Sequence, residues 1–213
     1  MKLNFKLLLA LTLATPMMSY AQDDKTADEY KNEGNAFARE KNYQDALASF
    51  QKAIELWGDS ADAATVYNAA ECAKKINQFD EAVNLYQKSA ALGYKTDYSK
   101  YYIADIYGKQ NKNEEKLALL EESLPNCQDA KVKSFMVKAI VKDYRDKAMA
   151  HYNEGNKILG ECQTAKPEQF DEIKGRAKEE FKQAKPLIDK ALTFDPENET
   201  LKKINTQLKE QLK

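Results

Sequence analysis

The sequence predicts an all-α chain built as a solenoid of stacked helical hairpins, and three observations carry that prediction. An amphipathic phrase recurs: YQDALASFQKAIEL at 43–56, FDEAVNLYQKSAAL at 79–92 and NEEKLALLEESLPN at 113–126. The copies start 36 and then 34 residues apart. Only 7 Gly and 5 Pro interrupt 213 residues, so turns are few and short. A lone hairpin cannot bury its apolar stripe, whereas copies stacked in series bury it together.

The first element lies outside that fold. In residues 1–21, Lys2 and Lys6 precede a short apolar run from Leu7 to Ala14. That run is too short to span a bilayer. Ser19 and Ala21 put small residues where a signal peptidase reads, so cleavage after Ala21 is expected. Loss of the two lysines moves the side-chain charge from −1 to −3. Neither value gives a reason to expect nucleic-acid binding. The expected destination is the periplasm, with secretion as the other outcome of export.

Residues 22–126 read as three hairpin repeats, at about 27–60, 61–95 and 96–126. The first helices are expected at 27–40, 61–76 and 97–110, and the second helices are the three phrases. In each phrase small and large apolar residues recur at helical spacing and make one stripe: Ala46 and Phe50, Ala82 and Tyr86, then Leu117 and Leu120. Gly34 allows close approach of a neighbouring helix. Asn42, Asn77 and Asn111, each followed three residues later by Asp or Glu, are expected to cap the second helices.

These residues resemble the tetratricopeptide repeat (TPR) family, in an exported bacterial form. The pattern of that family, W-x2-L-G-x2-Y then A-x3-F and a late Pro, stands here as Tyr30-x2-Glu33-Gly34-x2-Phe37 and Ala46-x3-Phe50, with Ala53 following and Gly58 in place of the Pro. The second copy has Ala70, Ala73, Ala82-x3-Tyr86 and Ser89. The third has Ala104, Tyr107, Lys116-x3-Leu120 and Ser123, and Lys116 in place of Ala predicts a looser hairpin.

Residues 127–213 read as a modified copy. YNEGN at 152–156 echoes KNEGN at 31–35, and Ala184-x3-Ile188-x2-Ala191 restores the second-helix pattern about 17 residues late. Both helices are therefore expected to be lengthened, to 129–162 and 168–194. Pro186 should kink the second. Asp195 as N-cap and Pro196 at the first helical position should start a terminal helix, whose Leu201, Ile204, Leu208 and Leu212 form a seam that caps the array.

No residue pattern points to catalysis, a cofactor or a metal. His151 is the single histidine and lacks the partners that orient a base. The seven glycines are scattered, so no loop cradles phosphate, and Cys72, Cys127 and Cys162 lack metal spacing. The three thiols are expected to be buried hydrophobes, with a disulfide as the alternative.

What remains is surface, and here the TPR resemblance supplies the expectation. In that family the first helix of each hairpin lines a concave groove that holds an extended peptide or a helix. The implied lining is Lys31, Asn32, Asn35 and Arg39, then Tyr67, Asn68, Glu71 and Lys75, then Tyr98, Tyr101, Tyr102, Asp105 and Lys109. Some members clamp a chain-terminal carboxylate with Lys and Asn. Lys31, Asn35 and Asn68 match that pattern, but Tyr98 and Tyr102 stand where its later cations belong. The expected role is a non-catalytic adaptor or scaffold holding a protein segment. The alternative is a structural subunit, or a homo-oligomer, that uses the long hairpin.

Overall fold

The computed structural model describes residues 25–213, so the expected signal at 1–21 lies outside the described residues. Among these residues nine α-helices form and no strand does. They are α1 (Ala27–Arg39), α2 (Tyr43–Trp57), α3 (Ala63–Lys75), α4 (Phe79–Ala91), α5 (Thr96–Lys109), α6 (Asn113–Ser123), α7 (Ala130–Gly160), α8 (Phe170–Phe194) and α9 (Glu199–Gln211). Hairpins α1/α2, α3/α4 and α5/α6 stack in series through α2 on α3 and α4 on α5. α7 then packs on α5 and α6, α8 on α7, and α9 on α8.

Each hairpin turns in the same way; Asn42 takes the expected N-cap position, though without a side-chain cap bond, whereas Asn77 and Asn111 do not. Lys41, Asn77 and Asn111 have φ of 62°, 61° and 60°. Around each, two backbone bonds close the preceding helix: Asn42 N–H to Phe37 O (2.9 Å) and Lys41 N–H to Ala38 O (3.1 Å), with the same pair at Gln78/Asn77 and Lys112/Asn111. This is the Schellman arrangement. Asn77 and Asn111 therefore end helices instead of capping the next ones. The N-cap positions fall to Gln78 and Lys112, which make no side-chain cap bond. Asn tolerates the left-handed conformation because its short amide bonds locally. Side-chain caps are made elsewhere, by Thr26 with Glu29 in a capping box, and by Asp62, Asp129 and Asn198. Asp195 was expected to cap α9; instead its Oδ2 accepts from Asn198 Nδ2 at 2.9 Å, and Asn198 Oδ1 accepts from Leu201 N–H.

Two glycines set the helix–helix spacing. A Cβ on Gly34 would stand 2.6 Å from the Phe50 ring, and one on Gly155 would stand 2.6 Å from the Phe181 ring. Phe50 with Ala46 and Ala53, and Phe181 with Ala177 and Ala184, are at most 1% exposed. The echo of KNEGN in YNEGN is thus real packing. Its partner, however, is Ala177-x3-Phe181-x2-Ala184, which shortens the displacement from 17 to 10 residues. Ala184, Ile188 and Ala191 are also fully buried, because α8 is long enough to carry the pattern twice.

α8 runs unbroken through Pro186, which is exposed, so water can reach the carbonyl whose bond is lost. Lys116 does not simply loosen its hairpin. Its Cδ passes 3.1 Å from the place of a Gly108 Cβ, and its ammonium meets Asp143 Oδ1 of α7 at 2.7 Å. Both side chains are largely buried, so the lysine links the third hairpin to α7. Cys72 and Cys127 are buried and Cys162 is half-buried, all three as free thiols. Burial pushes the Cys72 thiol up to about 11, aided by Glu71.

Candidate interaction groove

The expected groove is the face formed by α1, α3 and α5, and its residues behave in three different ways. At the α1 end they stay open. Asn35, Ala38, Arg39 and Asn68 surround a depression of about 510 Å3. Arg39 Nε donates to Asn35 O at 3.1 Å, which holds the guanidinium over the depression's own helix. Asn32 and Lys75 are exposed. Lys31 is drawn off by Asp62 at 3.3 Å and lies 5.7 Å from the Trp57 ring. Asp62 is held below the usual carboxylate range, first by its bond from the Thr65 hydroxyl and further by Lys31.

In the middle the residues are sealed. Tyr67 was expected to be open surface, yet it is 5% exposed. Tyr86 and Tyr94 meet its ring edge-on at 5.6 and 5.7 Å, and the Lys95 ammonium sits 4.5 Å above it. Glu71 faces inward, accepting from the Tyr86 hydroxyl and pairing with Lys74 at 2.9 Å. The Lys74 ammonium in turn rests 3.3 Å from the Tyr102 ring centre. Burial lowers the Lys74 pKa, and Glu71 opposes that shift. Burial raises the pKa values of Tyr67 and Tyr86, with Glu71 adding to the rise. A row of phenols at one register is therefore glue between stacked hairpins. Each pair of rings adds roughly 0.5–1.5 kcal/mol beyond the area it buries.

At the α5 end the face opens again. Tyr98, Tyr101 and Tyr102 are half-buried, and Asp105 pairs with Lys109 at 3.0 Å along the helix. The Tyr101 ring lies 5.7 Å from that of Phe135 on α7. So α7 supplies a fourth wall, beyond the three helices that the repeat pattern implies. The signal was present in the sequence: Tyr67, Tyr101 and Phe135 are each 34 residues apart. Where α7 runs on past the end of α5, a notch of about 490 Å3 opens, lined among others by Asp105, Lys109, Lys116, Asp143 and Lys147.

No group of three or more His, Cys, Asp or Glu placed to hold a metal occurs among the described residues. His151 Nδ1 stands 2.8 Å from Glu180 Oε2, which ties α7 to α8. No helix of the described residues is long and apolar enough to cross a membrane.

Comparison with known proteins agrees with this architecture. The tetratricopeptide repeat family matches residues 27–95. Sperm-associated antigen 1 of Mus musculus is 30% identical over 111 residues, covering 52% of this chain and 10% of that protein. The Rattus norvegicus protein of the same name is 30% identical over 108 residues, 50% of this chain and again 10% of its own length. The chain thus spans about a tenth of these curated relatives. Among solved structures, a TPR repeats protein from Bacteroides fragilis is 20% identical, with a TM-score of 0.53. The match covers 86% of this chain and 98% of that one, a likeness of fold.

Proposed function

We propose, from the premise that this chain is a tetratricopeptide-repeat protein folded as a TPR-like solenoid, that it is a non-catalytic adaptor of the cell envelope. In this reading the repeats at 27–60, 61–95 and 96–126 hold a peptide or helix of a partner protein, and 127–213 closes the array. Export rests on the segment at 1–21. The observation that carries the reading is the open depression where Asn35, Arg39 and Asn68 converge from two helices. Side-chain amides and a guanidinium on a rigid helical face can bond a peptide backbone or a carboxylate without reorganising. The two-carboxylate clamp is incomplete, since Lys31 is committed to Asp62 and tyrosines replace the later cations.

The test uses the open residues and leaves the sealed tyrosines alone. Mature protein tagged at its C-terminus is crosslinked in the envelope fraction of its own source, and the partner is identified. Asn35→Ala with Asn68→Ala and Arg39→Ala should abolish capture while helicity is kept. Unchanged capture removes the groove from consideration.

A structural role for the long hairpin is the second reading, favoured by the length of α7 and α8 beyond the stacked repeats. A concentration-independent monomer by size-exclusion chromatography with light scattering would count against its self-associating form.

A further inference from the structure

Among the described helices, α7 has the largest net positive charge. α7 carries seven Lys and Arg against three acids, a net +4 in a chain whose total is −1. Its first thirteen residues hold Lys131, Lys133, Lys138 and Lys142, and no carboxylate stands between the capping Asp129 and Asp143. Lys131, Phe135, Lys138 and Lys142 recur at helical spacing and so share one face. Lys131, Lys138 and Lys142 are exposed, and of these Lys142 pairs with Asp146 along the helix at 2.6 Å. Phe135 places this face beside α5 through its contact with Tyr101, and the Lys131 ammonium lies 5.8 Å from the Phe135 ring. The carboxylates across on α5 are committed: Asp97 accepts from the N–H groups of Gln128 and Asp129, and Asp105 pairs with Lys109.

We propose that the strip between α5 and α7 docks an acidic segment of a partner protein. Its Asp and Glu side chains face Lys131 and Lys138, while Lys142 already pairs with Asp146, and an apolar side chain rests on Tyr101 and Phe135. This deepens the groove reading, on which it rests, by naming the partner's chemistry. Charge complementarity carries the choice. Half-buried aromatic rings flanked by cations complement a segment that alternates acidic and apolar residues. A nucleic-acid backbone fits less well, because Asp105 and Asp146 stand among the cations and the whole chain is slightly acidic.

The probe is a fluorescein-labelled peptide of about twelve residues, made of Glu and Asp around one central Phe. It is read by fluorescence anisotropy against a Lys-for-acid peptide and a Ser-for-Phe peptide. The acidic peptide should bind about tenfold more tightly than the basic one, with the difference shrinking as salt rises. Lys131→Glu with Lys138→Glu should weaken it about tenfold. Phe135→Ala should weaken it less and should erase the preference over the Ser-for-Phe peptide. Lys88→Glu with Lys174→Glu, which changes net charge equally on α4 and α8, should leave binding within about twofold. These are solvated positions, and circular dichroism checks that each variant keeps its helicity.

Equal binding of acidic and basic peptides, or indifference to the Lys131 and Lys138 changes, overturns the proposal. So does a labelled single-stranded DNA of equal length that binds as tightly and responds identically, which would assign the face to nucleic acid. A dimer that dissociates on the Lys131 and Lys138 changes would assign it to a second copy. Capture that still depends on Asn35, Arg39 and Asn68 while the peptide result fails would leave the groove reading standing without this one.

Discussion

The hairpin α1/α2 and the hairpin α7/α8 make the same central contact, a glycine against a phenylalanine ring, in very different settings. Gly34 meets Phe50 across 16 residues of chain, and Gly155 meets Phe181 across 26. Phe50 belongs to a core that continues through Val66, Tyr86 and Ile106 into the neighbouring repeats. Phe181 belongs to a separate core that Leu201 and Leu208 of α9 close off. A third cluster, with Leu120, Met136 and Ile140, joins the two. The lesson is that a hairpin in the array borrows its other side from the next repeat, whereas the long one needs length and a lid of its own.

The strongest way to break this comparison is to remove the rings. Phe50→Ala and Phe181→Ala should each cost about 3–5 kcal/mol by denaturant unfolding, since both rings are fully buried. Hydrogen exchange should then separate them. Phe50→Ala should expose α1 and α2 first, and Phe181→Ala should expose α8 and α9 while α1–α4 stay protected. A uniform loss of protection in both variants would mean that the two cores unfold as one.

A smaller effect comes from the other side of each contact. Gly34→Ala and Gly155→Ala should destabilise by about 1–3 kcal/mol, because the new methyl lands on a buried ring. Gly175→Ala, also helical but with nothing within 4 Å, should instead gain up to about 1 kcal/mol. Agreement in sign among all three glycines would break the packing account.

The smallest effect concerns the turns. Lys41 holds the left-handed position that Asn fills at 77 and 111. Lys41→Gly should raise stability by up to about 1 kcal/mol, read as a shift of the urea midpoint at constant slope. Loss of stability would mean that the lysine side chain does more there than the backbone asks of it.

Much of this architecture is readable in the sequence because a helical stripe leaves a period that short turns cannot blur. The three phrases, the Gly34 contact, the lengthened last hairpin and the seam of α9 all follow from that period. Features that depend on which neighbour arrives in space are not readable in the same way. Asn77 looks like a cap because it precedes a helix, but the chain had already committed it to ending the previous one. Tyr67 looks like open surface because the first helices carry it outward; Tyr86, Tyr94 and Lys95 then cover it. Phe135 is masked by the echoed YNEGN, which places the fourth copy downstream, although the 34-residue interval from Tyr101 points to it directly.

α7 is a single helix of 31 residues, roughly 46 Å from end to end. Its first turns hold Phe135 against Tyr101, while Gly155 and Ile158 lie toward the far hairpin turn. No glycine or proline interrupts it between Ala130 and Tyr152. The aromatic strip and the glycine–ring contact of the last hairpin are therefore two stations on one continuous helix, about 30 Å apart.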